Sequence, residues 1–329
     1  MKIGLIHCEG DFKKSSPFDY EGRKNIGDAV EIALNNLKMN YIKIPANKKM
    51  FKSLEKNRVD LIFNSADEGF NMNTHLEAQI PAFLDMLNIP YTGSNYLTLG
   101  LCNDKIKTKE ILKANGLPTP NFLVIKNKIS ENFEIKGIKF PLIIKPSKED
   151  GSIGIKIDSV VNTKKEMIKK INEVLEKYNQ PVLVEEFIEG REIYIGILGR
   201  DKIEVLPPTE IKFNLPKGYK NFLPYEAKWE ENSSYYKGTI ATCPAKIEQK
   251  LFSKLKDAAI KSYKIFNVRD YGRIDFRIDK KGKIFILEVN PNPDLSRESG
   301  IALMAKRRGM EFEDLIKKII SYSKQDEIN

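Results

Sequence analysis

Residues 271–294 read YGRIDFRIDKKGKIFILEVNPNPD and form the most informative part of the chain. Two apolar runs flank the turn-forming residues DKKGK, a pattern that predicts two strands joined by a turn. Because side chains alternate along a strand, an antiparallel hairpin would carry Asp275 and Glu288 on one face. Asn290 follows Glu288 by two residues and falls on the same face. Arg273 precedes Asp275 by the same spacing, so one face collects two carboxylates, a carboxamide and a guanidinium.

The polar face of this hairpin has the ligand set that magnesium prefers. Carboxylate and carboxamide oxygens bind Mg²⁺, which normally keeps water and substrate phosphates as its other ligands. A hairpin with a charged, solvated face is the alternative interpretation. The apolar run from Ile284 to Leu287 favours the metal site, because it predicts partly buried strands in which carboxylates need partners. We therefore expect Asp275, Glu288 and Asn290 to hold magnesium.

The stretch LIIKPSKEDGSIGI at residues 142–155 combines an apolar strand with a polar loop. The strand ends in Lys145, and the loop carries Gly151 and Gly154. Backbone N–H groups in such a loop can contact phosphates while a lysine meets them as a point charge. The stretch lacks the GxxxxGK[ST] spacing of a P-loop, so an ordinary hairpin loop with a surface lysine is an equal alternative.

The stretch LVEEFIEGREI at residues 183–193 ends a predicted strand with two glutamates. Apolar side chains between acidic ones could enclose a nucleotide base while a carboxylate binds the ribose hydroxyls. Taken alone, the pattern fits an acidic strand end equally well.

Hydrophobic patterning divides the chain into three parts. Residues 1–100 alternate strand and helix patterns, which predicts an open α/β domain with a parallel sheet. Residues 101–182 begin with the helical stretch NDKIKTKEILKANG, which stops at Gly116, and continue as strand, glycine loop, strand, helix and strand. Residues 183–329 contain further strand patterns and a closing helix. We predict an N-terminal α/β domain followed by two α+β lobes.

The composition excludes several classes of protein. The chain has 55 Lys and Arg against 45 Asp and Glu, a net charge of +10, but the lysines are dispersed and often adjoin glutamates, so nucleic-acid binding is not predicted. Three distant cysteines and two histidines provide no disulfide framework or zinc site. No apolar run approaches the roughly 18 residues of a membrane helix, and the N-terminus turns polar after Ile6, too soon for a secretory signal. We expect a cytoplasmic protein without a membrane partner.

Seven short motifs follow one another along the chain. Together they resemble the ATP-grasp superfamily, and in particular the D-alanine–D-alanine ligase family, over nearly the whole chain. The resemblance implies that the two lobes grasp ATP between their sheets. It also implies magnesium (manganese being possible), a small-molecule carboxylate and an amine as substrates, and a tendency to form homodimers. The motifs are IPYTGS at 89–94, NDKIKTK at 103–109, IIKPS at 143–147, YEAKW at 225–229, CPA at 243–245, YGRID at 271–275 and LEVNPNP at 287–293.

The resemblance also implies roles for individual residues. Two magnesium ions would lie at Asp275, Glu288 and Asn290, in agreement with the hairpin face. Arg273 would stabilise charge on the carboxylate under attack. Lys228 would face the nucleotide phosphates from a segment that closes over the substrates. Nucleotide contacts are implied for Lys105, Lys145 and Ser152 at the phosphates, for Glu185, Phe187 and Ile188 around the adenine, and for Glu192 at the ribose.

The chain departs from the family in the loops over the active site. The family has a serine where this chain has Gly151 and a tyrosine where it has Trp229. In the family those two side chains connect the loops through hydrogen bonds. Glycine has no side chain and tryptophan offers only an N–H donor, so we expect that the connection does not form in the same way.

Other departures fall on residues expected to meet the substrates. Asp294 replaces a glycine whose N–H serves the oxyanion hole, and its carboxylate would oppose the charge that develops there or bind a cationic group. Ser299 matches a family serine, although the residue after it is not the family's leucine. In the N-terminal domain, DEGFNMNTHLEAQ replaces the family's HGxxGEDG loop. Possible replacements for the acidic contacts of that loop are Glu21, Glu68 and Glu77. The alternative for each is a surface or capping residue.

These observations predict an ATP-dependent ligase that forms an amide bond through an acyl phosphate. A carboxylate attacks the γ-phosphate of ATP, and the amine then attacks the activated carbonyl. Because Asp294 alters the substrate site, we expect at least one substrate other than D-alanine. A genuine D-alanine–D-alanine ligase is the alternative within the family. A non-catalytic nucleotide-binding or nucleic-acid-associated protein is the alternative outside it, which the complete set of Asp275, Glu288, Asn290 and Arg273 disfavours.

Overall fold

The computed structural model describes residues 1–9 and 26–323, and the strands of these residues form three sheets. The N-terminal elements are β1 (Lys2–His7), α1 (Ile26–Asn36), β2 (Asn40–Pro45), α2 (Lys49–Lys56), β3 (Leu61–Asn64), α3 (Gln79–Met86) and α4 (Tyr96–Asn103). The first sheet is parallel, with the order β2-β1-β3. Its central strand is almost wholly buried, as expected when helices cover both faces of a parallel sheet. The predicted α/β domain is therefore present.

The second sheet is antiparallel and carries one long helix. Its region contains α5 (Lys105–Ala114), β4 (Phe122–Ile125), β5 (Leu142–Pro146), β6 (Val160–Val161), α6 (Lys164–Tyr178) and β7 (Val182–Glu186), with the strand order β4-β7-β5-β6. Thr163 begins α6 by accepting the N–H of Glu166, and Asn179 ends it in the left-handed conformation. Met167, Ile171 and Val174 lie about one turn apart, and their burial with the strands forms the core of this lobe.

The third sheet is the largest. Its region contains β8 (Gly190–Leu198), β9 (Glu204–Val205), β10 (Thr209–Phe213), α7 (Tyr225–Trp229), α8 (Ser234–Gly238), β11 (Thr239–Thr242), α9 (Gln249–Ile265), β12 (Tyr271–Asp279), β13 (Ile284–Asn290), α10 (Gly300–Arg307) and α11 (Phe312–Ser323). The strand order is β11-β10-β8-β12-β13, and β9 pairs with β8. None of the helices in the described part of the chain is long and apolar enough to cross a membrane.

Strand β8 separates two cores because its side chains alternate between the faces of the sheet. Ile193 and Ile195 share one cluster with Ala259 of α9. Leu198 belongs to a second cluster, which includes Met304 of α10 and also contains side chains of the first sheet. Helices α10 and α11 thereby join the N-terminal domain to the third sheet.

The predicted domain boundaries near residues 100 and 182 fall within a helix and at the start of a strand. Residue 100 lies inside α4, and residue 182 begins β7, which pairs with β4 and β5 of the second sheet. The central lobe, if it includes its whole sheet, extends to Glu186. The boundaries near 100 and 182 stay predictions. Helices α2, α4, α7, α8, α9 and α10 were not predicted from the sequence.

Candidate active site

A cleft lies between the second and third sheets. Lys145 and Glu185 enter it from β5 and β7, whereas Asp275 and Glu288 enter it from β12 and β13. Helix α5 and the segment around α7 complete its walls. Most of the residues predicted to contact nucleotide or metal line this cleft, namely Lys105, Lys145, Ser152, Glu185, Phe187, Ile188, Glu192, Lys228, Asp275 and Glu288.

Strands β12 and β13 form the antiparallel hairpin that the sequence predicts. Asp275 pairs directly with Glu288, and Arg273 pairs with Asn290. The register shifts immediately after Asp275, so that Leu287 is an extra residue of β13. Such a bulge turns the neighbouring side chain and bends the strand. The predicted face of carboxylates, carboxamide and guanidinium is thus assembled by adjacent residue pairs.

Arg273 and Asp275 form a two-point ion pair at this face. Nε and Nη2 of Arg273 donate to Oδ1 and Oδ2 of Asp275 at 2.7 and 2.8 Å. The guanidinium also lies over the ring of Tyr194, 4.5 Å from its centroid. Burial raises the pKa of Asp275, and the charge of Arg273 opposes that rise. Burial also acts against the charged form of Glu288, but the charges of Lys105 and neighbouring cations outweigh it and lower the pKa of Glu288.

Glu185 lies between two lysines. Its Oε2 is 2.6 Å from Nζ of Lys145, and its Oε1 is 2.5 Å from Nζ of Lys109. Lys109 is 1% exposed, and its ammonium also donates to Thr119 Oγ1 at 3.0 Å and to the Leu287 carbonyl at 3.2 Å. Burial raises the pKa of Glu185, but the charges of the two lysines outweigh that effect and lower it. Glu185 is therefore a buried anion held by two cations.

Glu192 is held by Arg277 and Tyr194. Its Oε2 is 2.9 Å from Nη2 of Arg277, and its Oε1 accepts the Tyr194 hydroxyl at 2.7 Å. The Arg277 guanidinium lies over the Phe187 ring, 5.5 Å from its centroid. Phe187 in turn meets Phe222 edge-on, with 5.8 Å between ring centroids. These contacts give the cleft an aromatic wall beside a fixed carboxylate.

The glycine loop between β5 and β6 contacts the segment that carries Lys228. The Trp229 indole Nε1 donates to the Gly151 carbonyl at 2.9 Å, and Ser152 Oγ donates to the Leu223 carbonyl at 3.0 Å. Gly151 has no side chain and takes part through its carbonyl oxygen. A bond from a side chain to the backbone therefore connects the two loops.

Lys105 and Lys228 both line the cleft. Lys105 is the first residue of α5, and its Nζ donates to the Glu149 carbonyl in the glycine loop. Lys228 is exposed on α7 and lines the cleft near Glu288. The Lys105 ammonium therefore contacts the loop that can cover phosphates, and Lys228 adjoins Trp229, whose indole bonds to that loop.

The candidate substrate residues have varied surroundings. Glu21 lies outside the described residues. Glu68 is buried in the N-terminal domain. Asp294 is exposed, and its carboxylate accepts the Ser296 N–H at 2.6 Å and the Ser296 hydroxyl at 3.0 Å. Ser299 is the N-cap of α10, and its Oγ accepts the backbone N–H of Ala302. Their roles toward a substrate stay predictions.

Glu77, another acidic candidate of the N-terminal domain, contacts the turn that follows the hairpin. It is 5% exposed and accepts hydrogen bonds from Asn103 and Asn292. Burial raises the pKa of Glu77 to about 8, and the two amide donors partly oppose the rise. Asn292 follows the metal-ligand candidate Asn290, so this contact links the first domain to the hairpin.

The sequence did not predict a role for several residues that line the cleft. Lys109, Tyr194 and Arg277 line it beside the residues for which a role was predicted. Lys109 could have been found, because it follows Lys105 by four residues in a predicted helix and so lies one turn along the same face. Arg277 could have been found by continuing the alternation of the hairpin two residues beyond Asp275.

Comparison with known proteins agrees with this geometry. A family model described as "D-ala D-ala ligase C-terminus" matches residues 111–321. The chain belongs to the D-alanine–D-alanine ligase family. A D-alanine–D-alanine ligase of Carboxydothermus hydrogenoformans is 36% identical to this ligase, over 97% of either chain. The uncharacterized protein y4sG of Sinorhizobium fredii is 34% identical, over 90% of this chain and 86% of its own length.

Solved structures extend the comparison to the fold. The D-alanine–D-alanine ligase of Bacillus anthracis matches with a TM-score of 0.79 and 26% identity, covering 99% of this chain and 98% of that one. The structure of that enzyme complexed with ATP matches with a TM-score of 0.76. The protein therefore has the ATP-grasp fold and is an ADP-forming carboxylate–amine ligase of the D-alanine–D-alanine ligase type.

Proposed function

We propose that this ligase joins a small carboxylate to an amine and that at least one of its two substrates is not D-alanine. The reaction type rests on the paired carboxylates Asp275 and Glu288, which share a cleft with several lysines. The substrate choice rests on Asp294, a carboxylate at a position where the family has glycine.

The triphosphate of ATP would lie where the lysines of the cleft converge. Lys145 spends one of its three N–H donors on Glu185, so two are left for phosphate oxygens. Lys105 likewise spends one donor on a backbone carbonyl. The adenine would pack near Phe187 and Ile188, where the aromatic wall is apolar. The ribose hydroxyls would lie near Glu192, whose two oxygens keep spare lone pairs.

Magnesium would bind at Asp275, Glu288 and Asn290, whose oxygen donors suit a hard cation. The same donors would accept manganese. In the described part of the chain, no three His, Cys, Asp or Glu side chains form a group that could hold a metal ion. Phosphate oxygens and water would therefore complete the coordination. When bound, the metal would neutralise charge on the nucleotide phosphates.

The reaction would proceed in two transfers. An oxygen of the substrate carboxylate forms a bond to the γ-phosphorus of ATP as the bond to the β-phosphate oxygen breaks, giving an acyl phosphate and ADP. The amine nitrogen then attacks the acyl carbon, loses a proton and displaces inorganic phosphate. Arg273 gives two of its five N–H donors to Asp275, so three are left to stabilise the oxyanion.

The loops over the cleft would keep water from the acyl phosphate. The bond between Trp229 and Gly151 holds the Lys228 segment against the glycine loop. Excluding water matters because hydrolysis of the intermediate would consume ATP without forming an amide.

Asp294 favours a substrate other than D-alanine. Its carboxylate is fixed by two hydrogen bonds from Ser296 and lies four residues after Asn290. A fixed negative charge disfavours substrates that bring another anionic group to the same place and favours neutral or cationic groups. The second candidate is a D-alanine–D-alanine ligase, which the names of the relatives favour.

The test is a measurement of ADP release with pairs of amino acids, other carboxylates and small amines. We expect one pair to exceed D-alanine alone by at least about 10-fold, equivalent to about 1.4 kcal/mol in the barrier. Turnover with D-alanine alone at the highest rate of the screen would establish the second candidate instead. Asp275→Asn and Glu288→Gln serve as controls. Full magnesium-dependent activity in either variant would show that the metal assignment is wrong.

A further inference from the structure

Glu77 is a carboxyl group of the N-terminal domain that is buried against the hairpin lobe. Its Oε1 accepts Nδ2 of Asn292 at 2.6 Å, and its Oε2 accepts Nδ2 of Asn103 at 2.8 Å. Two amide groups thus meet the two oxygens of the carboxyl group. Buried polar groups are nearly always hydrogen-bonded. Asn103 and Asn292 supply the hydrogen bonds that the buried Glu77 carboxyl group needs.

Asn292 is held by three different parts of the chain. Its Nδ2 donates to Glu77, its Oδ1 accepts the Tyr271 hydroxyl, and its backbone N–H donates to Oδ1 of Asn290 at 3.0 Å. The two ends of a carboxamide are not interchangeable, since one donates and the other accepts. Glu77 presents an acceptor and therefore fixes which way the Asn292 amide points.

The backbone of the same turn is also bonded to the N-terminal domain. Ser94 Oγ donates to the Pro291 carbonyl at 3.5 Å. The turn that follows β13 is therefore held from the first domain at two places, once by Glu77 and once by Ser94. Because the Asn292 N–H in this turn donates to the side-chain Oδ1 of Asn290, the position of the turn fixes where that Oδ1 lies. That oxygen has two lone pairs, and the bond from Asn292 leaves one of them for a cation.

We propose that Glu77 is a positioning residue for the metal site, acting through Asn292 to orient Asn290. The proposal rests on the metal-binding role of Asn290 that is part of the proposed function. Groups that hydrogen-bond a metal ligand change metal affinity by about 10- to 100-fold when they are removed. The bond to Asn290 comes from the Asn292 backbone N–H, and Glu77 acts one contact further out, so we expect an effect at the lower end of that range. Glu77 would thereby let the N-terminal domain influence the binding of metal with nucleotide in the neighbouring lobe.

A purely structural role for Glu77 makes a different prediction. Loosening the contact between the domains would weaken ADP binding to the same extent with and without magnesium. A positioning role affects only the part of the affinity that depends on the metal. The ratio of the two ADP dissociation constants, metal-free over metal-bound, therefore separates the two roles.

Calorimetric titration of the full-length protein with ADP, in magnesium chloride and in EDTA, measures this ratio. Glu77→Leu removes the acceptor, and Asn292→Ala breaks the same link from the other side. The second variant serves where the first does not fold. We expect both to lower the ratio by about 10-fold while the metal-free affinity stays within about 2-fold of wild type. Glu110→Leu, an exposed change on α5, is the matched control and keeps the wild-type ratio.

An unchanged ratio in both variants would overturn the proposal, as would an equal loss of affinity in the two solutions. If the wild-type protein binds ADP but magnesium does not strengthen that binding, the metal assignment of the proposed function fails, and this inference fails with it. Metal-strengthened binding in wild type that neither variant changes leaves the proposed function intact and refutes only the role of Glu77.

Discussion

The indole Nε1 of Trp229 donates a hydrogen bond to the Gly151 carbonyl oxygen across 2.9 Å. This bond ties α7, which carries Lys228, to the glycine loop of the second lobe. A second bond, from Ser152 Oγ to the Leu223 carbonyl, joins the same segments. Both bonds run from a side chain to a backbone carbonyl, so this connection needs no side chain at Gly151.

Trp229→Phe keeps an aromatic ring but removes the N–H donor. We expect the excess of ADP over amide product to rise about 5-fold relative to wild type, because one neutral hydrogen bond contributes about 1 kcal/mol to loop closure. ADP and amide product are quantified in the same reaction, with the substrate pair found by the screen. Tyr236→Phe, on the exposed ring in α8, is the control. A slower reaction with the wild-type excess of ADP over amide product would show that the bond does not protect the intermediate.

The hairpin face could be predicted from sequence because its determinants are local. Strand alternation and a turn between two apolar runs are enough to bring Asp275 and Glu288 to one face. The bulge at Leu287 was not predictable, because it depends on the pairing of β13 with its neighbour. The same holds for Lys109, whose ammonium meets a carbonyl 178 residues away in sequence.

The surroundings of the acidic residues also depended on register. The sequence assigned Glu192 to the ribose, and only the pairing of β8 with β12 sets it opposite Arg277. Glu185 was assigned to the adenine, and its two lysine partners come from α5 and β5, on separate elements. A pattern of charges along the chain identifies such residues as polar and buried. It does not specify which opposite charge the fold brings to them.

Lys109→Met tests the buried cation that holds Glu185. The substitution leaves a buried carboxylate oxygen without its cation, so the free energy of unfolding should fall by about 3 kcal/mol. The affinity for ADP should fall as well, because Lys145 and Glu185 both line the cleft. Urea unfolding and ADP titration measure the two effects. Lys107→Met, in an exposed ion pair with Glu110, should change the stability far less, because water screens that pair. Equal costs for the two variants would contradict the role of Lys109.

Gly154→Ala tests the packing of the glycine loop. Gly154 has φ +76°, and a Cβ there would lie 2.5 Å from Pro146 Cγ. The variant should lose stability and bind ADP at least about 10-fold more weakly, because the loop must move from its place beside Lys145. Gly282→Ala is the matched control, since Gly282 also has φ +76° but has nothing within 4 Å of a Cβ. Gly282→Ala should lose only the roughly 1–2 kcal/mol of stability that a positive φ costs a residue with a Cβ, and it should keep the wild-type affinity for ADP. Similar ADP affinities in the two variants would contradict the packing argument.

Glu313 links the C-terminal helix to the first domain. Its Oε1 accepts Nδ2 of Asn36 at 2.8 Å and is 2.5 Å from Nη2 of Arg297. Hydrogen bonding from Arg297, followed by that from Asn36, lowers the pKa of Glu313 from 4.5 to about 2. The ionised form is therefore favoured more strongly in the folded protein than in the unfolded chain.

The sign of the resulting pH dependence follows from this difference. Between pH 4.5 and pH 2 the unfolded chain binds a proton at Glu313 that the folded protein does not, so acid favours unfolding. The contribution of Glu313 is complete above pH 4.5 and is lost as the pH falls toward 2. Glu313→Gln should therefore be less stable than wild type at pH 6, and the difference should shrink at pH 3, as measured by urea unfolding at the two pH values. Glu311→Gln removes an equal charge from the exposed Glu311, and the same shrinking difference there would assign the effect to net charge instead of to the contacts with Arg297 and Asn36.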